Sequence, residues 1–138
     1  MPHCSFVEGG SPDLGDERPA LWVGHVVLAT HDVARAFDFY RDLGLRPVDV
    51  PVPGFGLAQL EMRGGTHLAL VLDADARTAG RIAPFDLMAD DLHALHRMLE
   101  ARGVEVSPLT GQGHASFTVR DPDGHIVTVN DTHVTGAV

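Results

Sequence analysis

From Trp22 onward the order of apolar and polar residues follows two alternating periods. HVVLATHDVARAFDFYRDLGLRPVDV, residues 25–50, reads as strand, helix, strand. Asp32 is placed to cap a helix whose apolar face, Val33, Ala36, Phe37 and Tyr40, falls at i, i+3, i+4 and i+7, and Gly44 supplies its stop. LAQLEMR and THLALVLD then alternate with period two on either side of Gly64 and Gly65, the pattern of a hairpin. These elements make one β-α-β-β-β unit.

The same order returns in PFDLMADDLHALHRMLEARGVEV and HASFTVRDPDGHIVTVND. An offset of 59 residues pairs Asp32 with Asp91, Val33 with Leu92, Phe39 with Met98, Gly44 with Gly103, Leu45 with Val104 and Gly65 with Gly124. One register without a gap aligns helix cap, apolar face, helix stop and hairpin turn, which argues for internal duplication. The expected fold is therefore α+β, with two βαβββ modules. A flexible leader covers residues 1–20, and a single domain covers 21–138, divided into module one (21–73), a linker (74–81) and module two (82–133).

Composition narrows the function classes. The 138 residues are 44% hydrophobic and 21% charged, as in one globular domain. A net charge of -9 repels nucleic acid and anionic lipid, so neither is an expected partner. Apolar runs such as HLALVL are strand-sized, far short of the roughly 20 residues that span a bilayer. The leader lacks a basic region followed by an apolar one, and a lone cysteine, Cys4, cannot form an internal disulfide, so a cytoplasmic location is expected. Cys4 has no structured neighbour to activate it and receives no role. No GxxxxGK[ST], GxSxG or CxxC motif occurs, and the glycines mark turns and helix ends.

HVVLATHDVARAFDFYRDLGL and FTVRDPDGHIVTV resemble the first strand and helix and the terminal hairpin of the vicinal oxygen chelate proteins. That family includes glyoxalase I, extradiol dioxygenases, fosfomycin-resistance transferases and bleomycin-binding resistance proteins. The resemblance runs from about Val23 to His133. It implies that the strands of each module curl into half of a ligand cup with helices outside, and that two chains pair as a homodimer.

Metal-dependent members of that family place one ligand on the first strand and one on the last strand of each module. His25 matches the first position, and the 59-residue offset makes its counterpart Pro84. The glutamate of the terminal hairpin, four residues past the turn glycine, is here Thr128, and its counterpart is Ala69. One imidazole among Ala69, Pro84 and Thr128 does not make a site, since catalytic zinc takes three protein ligands and facial iron sites two histidines and a carboxylate. No metal or other cofactor is expected. The other possibility is a displaced site drawn from His25, His67, Glu61 and Asp86, or a metal-free acid-base pair using His25.

Strand parity assigns the cup lining. Val27, Leu57, Val71, Met88 and Ile126 supply apolar wall; His25, Gln59, His67, Asp86, Ser116, Thr118, Thr128 and Asn130 supply polar anchors. His93 and His96 are expected on the solvent edge of the second helix, and His3, His31, His114, His125 and His133 receive no role. The expected function is capture of a small apolar or aromatic, even cationic, molecule, as in the metal-free antibiotic-binding branch of the family. A lyase, isomerase or dioxygenase is the alternative.

Overall fold

The computed structural model describes residues 17–111 and 114–138. Cys4 and most of the expected leader lie outside them, as do Gln112 and Gly113. The elements run β1 (His25–Thr30), α1 (Val33–Leu43), β2 (Arg46–Asp49), β3 (Leu57–Glu61), β4 (His67–Leu72), β5 (Ile82–Ala89), α2 (Leu92–Ala101), β6 (Ser116–Arg120) and β7 (Ile126–Asp131). One sheet has the order β1-β4-β3-β2, the other β5-β7-β6. This is the mixed α+β architecture of two modules that the repeat implied.

The duplication is legible in the hydrogen-bonded registers themselves. In the first sheet Val27 stands opposite Ala69, Ala29 opposite Val71, Gln59 opposite Ala69 and Leu57 opposite Val71. Displaced by 59, the second sheet pairs Asp86 with Thr128, Met88 with Asn130, Thr118 with Thr128 and Ser116 with Asn130. Both helices are capped alike, the Asp32 side chain accepting from the Arg35 N–H and that of Asp91 from the Ala94 N–H.

Two departures from the repeat have local causes. The β5/β7 register slips between Ile82 and Asp86, around Pro84, whose nitrogen has no hydrogen to give a ladder. The strand expected at GVEV shrinks to a single bridge between Val106 and Val119. Beyond it, the Ser107 hydroxyl accepts the Thr118 N–H at 2.8 Å and Pro108 again has no amide proton, so the ladder is interrupted and resumes only as a second isolated bridge between Thr110 and Ser116.

Alternation along the strands sends Leu28, Ala58, Leu60, Leu68 and Leu70 of the first sheet, and Phe117, Val119, Val127 and Val129 of the second, into one core beneath the helices. Burying each of the leucines contributes about 1.5–3 kcal/mol. Phe37 and Tyr40 enter this core from α1 and Leu92 and Leu99 from α2. His96 enters it as well, which corrects the expectation of a solvent-edge position. It is 9% exposed, its Nε2 lies 2.8 Å from the Ser107 carbonyl oxygen, and its ring stands edge-on to Phe117. Position decided this, because 92, 96 and 99 share one helical stripe whatever their chemistry.

The modules are joined by their hairpin turns. Asp121 and Asp123, from the turn between β6 and β7, reach the β1–α1 segment of module one. Tyr40 donates to Asp121 Oδ2 at 2.7 Å, Thr30 to Asp123 Oδ2 at 2.6 Å, and the His31 N–H to Asp123 Oδ1 at 2.8 Å. Asp121 Oδ1 accepts the Asp123 and His125 amides, and His125 Nε2 lies 2.8 Å from the Ala29 carbonyl oxygen. Gly124, at φ 85°, closes the turn so tightly that a Cβ there would lie 2.8 Å from Ala79 Cα. The reciprocal contact, from the turn of module one, is an exposed fork between Arg63 and Asp90 at 2.8 and 3.2 Å. Arg63, together with the Thr132 hydroxyl, holds the Asp90 carboxyl below its ordinary pKa.

Candidate functional site

The strand faces turned away from the helices form the candidate site. His25, Val27, Pro84, Asp86 and Met88 are exposed, whereas Leu57, Gln59, Glu61, His67, Val71, Ser116, Thr118, Ile126, Thr128 and Asn130 are half-buried and Ala69 is buried. Val27 remains 59% exposed and Met88 49%, large values for apolar strand residues. The thirteen residues that parity assigned to the cup thus share the strand faces turned away from the helices.

Cross-strand pairing arranges these side chains in rows. In the first sheet His25 stands opposite His67, and His67 opposite Glu61. The two imidazoles meet edge to face, centroids 5.3 Å apart, and His67 Nε2 lies 3.0 Å from Glu61 Oε2. Arg46 reaches Glu61 from the outer strand. Glu61 is therefore held between a cation and an imidazole, and it fixes the orientation of His67. His25 makes no hydrogen bond among the described residues, so its ring nitrogens are free for a ligand. In the next row Gln59 donates to Asp49 at 2.6 Å.

The second sheet carries a different row. Asn130 donates to Oδ2 of the exposed Asp86 at 2.9 Å, and Thr128 lies between Asp86 and Thr118. Sequence reasoning named Glu61 with His67 as candidates for a displaced site without seeing their direct contact. Their direct opposition follows from a hairpin register that the two turn glycines alone do not determine.

The metal that the family resemblance brings with it does not fit this donor set. Ala69 and Pro84 offer no ligand atom, and Thr128 offers only a neutral hydroxyl. His25, His67 and Glu61 share a row, but their ligand atoms do not gather within 4.8 Å of one another. Among the described residues two groups do: Asp121, Asp123 and His125, and His114, Asp131 and His133. In the first, the clasp between the modules already uses the carboxylate oxygens.

A single chain presents the site as a wall. A cavity of about 430 Å³ opens elsewhere, between the start of α1, residues 76–79 and the β6–β7 turn. A smaller one that touches the candidate face, at Thr118 and Ile126, holds about 170 Å³, below the roughly 300–1,000 Å³ of small-molecule pockets.

A family model described as Glyoxalase/Bleomycin resistance protein/Dioxygenase superfamily matches residues 22–129. The chain belongs to this superfamily. Among solved structures, it is similar to a superfamily member from Sphaerobacter thermophilus, at 24% identity and a TM-score of 0.69, covering 81% of this chain and 98% of that one. It is similar to the lactoylglutathione lyase of Agrobacterium tumefaciens, at 26% identity and a TM-score of 0.65, over 80% of this chain and 92% of the lyase. A third likeness is to the oxidase ChaP-H2, at 19% identity and a TM-score of 0.65, over 84% and 97% of the two chains. A comparison with curated proteins found no match. Among the described residues of this superfamily member, no helix is long and apolar enough to cross a membrane.

Proposed function

We propose that this superfamily member binds a small apolar or aromatic molecule on its open strand face and holds it without turnover, sequestering a natural-product antibiotic in the cytoplasm. One observation carries the reading. Of the four positions where metal-dependent relatives coordinate, only His25 keeps a ligand residue and the others are Ala69, Pro84 and Thr128, while the surrounding face keeps exposed apolar wall at Val27 and Met88. A thioether there adapts to flat ligands of varied outline. The exposed Asp86 carboxylate and the net charge of -9 favour a cationic ligand.

The wall closes in this reading by homodimerisation. Trp22 and Phe55, exposed by 71% and 60%, are further apolar surface for a partner chain to cover. A second copy converts two walls into a cup. The test is a thermal-shift screen against aromatic and glycopeptide antibiotics, since a ligand bound only by the folded chain raises the melting temperature by mass action. A stabilising compound recovered chemically unchanged supports capture. No shift from any compound near millimolar concentration rejects it.

The His67–Glu61 contact favours a second reading. An imidazole oriented by a carboxylate and open to the face is the arrangement of a general base. Conversion of a captured compound, abolished by His67→Ala, would establish an enzyme of the lyase or isomerase type.

A further inference from the structure

We propose that His114, Asp131 and His133 form a binding site for one divalent first-row transition-metal ion, at the open end of the β6–β7 hairpin and away from the candidate ligand face. Sequence reasoning gave neither histidine a role. The fold gathers them because the ladder continues one step past β6, where Asp131 donates its N–H to the Ala115 carbonyl oxygen at 3.1 Å and its Oδ2 accepts the Ala115 N–H at 3.2 Å. His114 and His133 flank that pair, their rings edge to face with centroids 5.5 Å apart. One ligand atom from each of the three residues lies within 4.8 Å of the others.

Three observations separate this group from an ordinary polar surface. Asp131 Oδ1 is a buried oxygen without a hydrogen-bond partner among the described residues, which a carboxylate does not leave without cost. Its neighbour His114 Nδ1 stands at 3.7 Å, beyond hydrogen-bond reach. That spacing is close to the roughly 3.4 Å between two ligands each about 2.1 Å from a tetrahedral ion. Finally, His133 Nδ1 lies 3.1 Å from the Asp131 carbonyl oxygen. An imidazole nitrogen facing a carbonyl carries the proton, so Nε2 keeps its lone pair for a metal, the usual way in which an outer hydrogen bond prepares a histidine ligand.

Two imidazoles and one carboxylate suit zinc, iron(II), cobalt(II) or nickel(II) better than calcium or magnesium, which take mostly oxygen ligands. Three protein ligands leave coordination positions for water or an oxygen-donor molecule. The net charge of -9 favours accumulation of a dication. The site is independent of the proposed sequestration, because none of its three residues is among the liners of the ligand face.

The experiment is calorimetric titration of the untagged full chain, carrying Cys4→Ser to remove the thiol, with zinc and with cobalt(II), whose visible absorption reports coordination. The expected result is one ion per chain with micromolar or tighter affinity, weakened at least tenfold by His114→Ala and by His133→Ala and left unchanged by His25→Ala and His67→Ala. Melting curves verify that the surface variants remain folded. Binding no tighter than millimolar, or binding that survives both His114→Ala and His133→Ala, overturns the proposal.

Discussion

Tyr40 in the first module donates its hydroxyl to Asp121 in the second, 81 residues away in sequence, and both side chains are buried. The pair makes the two hairpin turns unequal. Module two's turn carries Asp121 and Asp123 into the interior, whereas 59 residues earlier module one has Met62 and Gly64. The terminal DPDG tetrad is thus both a β-turn and the interlock of the duplicated halves.

Tyr40→Phe is expected to cost about 1–3 kcal/mol, because it leaves a buried Asp121 oxygen without its donor. Chemical denaturation of wild type and variant measures it. A difference below about 0.5 kcal/mol contradicts the interlock.

Burial, and then the nearby Asp121 and Asp123 carboxylates, push the Tyr40 phenol far above its ordinary pKa. In the unfolded chain it ionises near pH 10. Tyr40's contribution is therefore complete below about pH 10 and is lost progressively as pH rises toward the raised folded value. Stability measured between pH 9 and 11 should fall more steeply in wild type than in Tyr40→Phe. Parallel curves would refute the assignment to this phenol.

Gly124→Ala should destabilise by about 2 kcal/mol or more. A left-handed residue with a Cβ costs about 1–2 kcal/mol, and the contact with Ala79 adds to that. Gly64→Ala makes the comparison, since a Cβ at φ 86° there meets nothing within 4 Å. Thermal melts of the two variants should rank Gly124→Ala clearly lower.

If the ligand face binds as proposed, His25→Ala should weaken the compound found by thermal screening roughly 3- to 100-fold and leave the melting temperature of the free protein unchanged. Thr128→Val should fall near the low end of that range, because shape is kept and one hydroxyl is lost. Calorimetric titration reads both. Unchanged affinity with lost turnover in His25→Ala would move the histidine from binding to catalysis.

Light scattering should give the mass of two chains at micromolar concentration, and Met88→Glu should shift it toward one by placing a charge on apolar wall. A single-chain mass for the wild type removes the dimer from the proposal and leaves the fold as described.

Much of this molecule is written locally. The capping carboxylates Asp32 and Asp91, the apolar stripe from Val33 to Tyr40 and the alternation in LAQLE and SFTVR are short-range signals, and the 59-residue repeat adds a second copy of each. They suffice for the elements other than the strand expected at GVEV, for the duplicated order and for which face of each strand is open, because side-chain periodicity is a property of the backbone. The absence of ligand atoms at Ala69 and Pro84 is also a matter of residue identity alone.

Tertiary structure decided what touches what. Register set Glu61 opposite His67, the turn carried Asp121 to Tyr40, and hairpin ends gathered His114 and His133 beside Asp131. Helical position buried His96, whose chemistry had suggested the surface. Each of these depends on how separate elements meet in space, which packing of the shared core imposes and no local periodicity encodes.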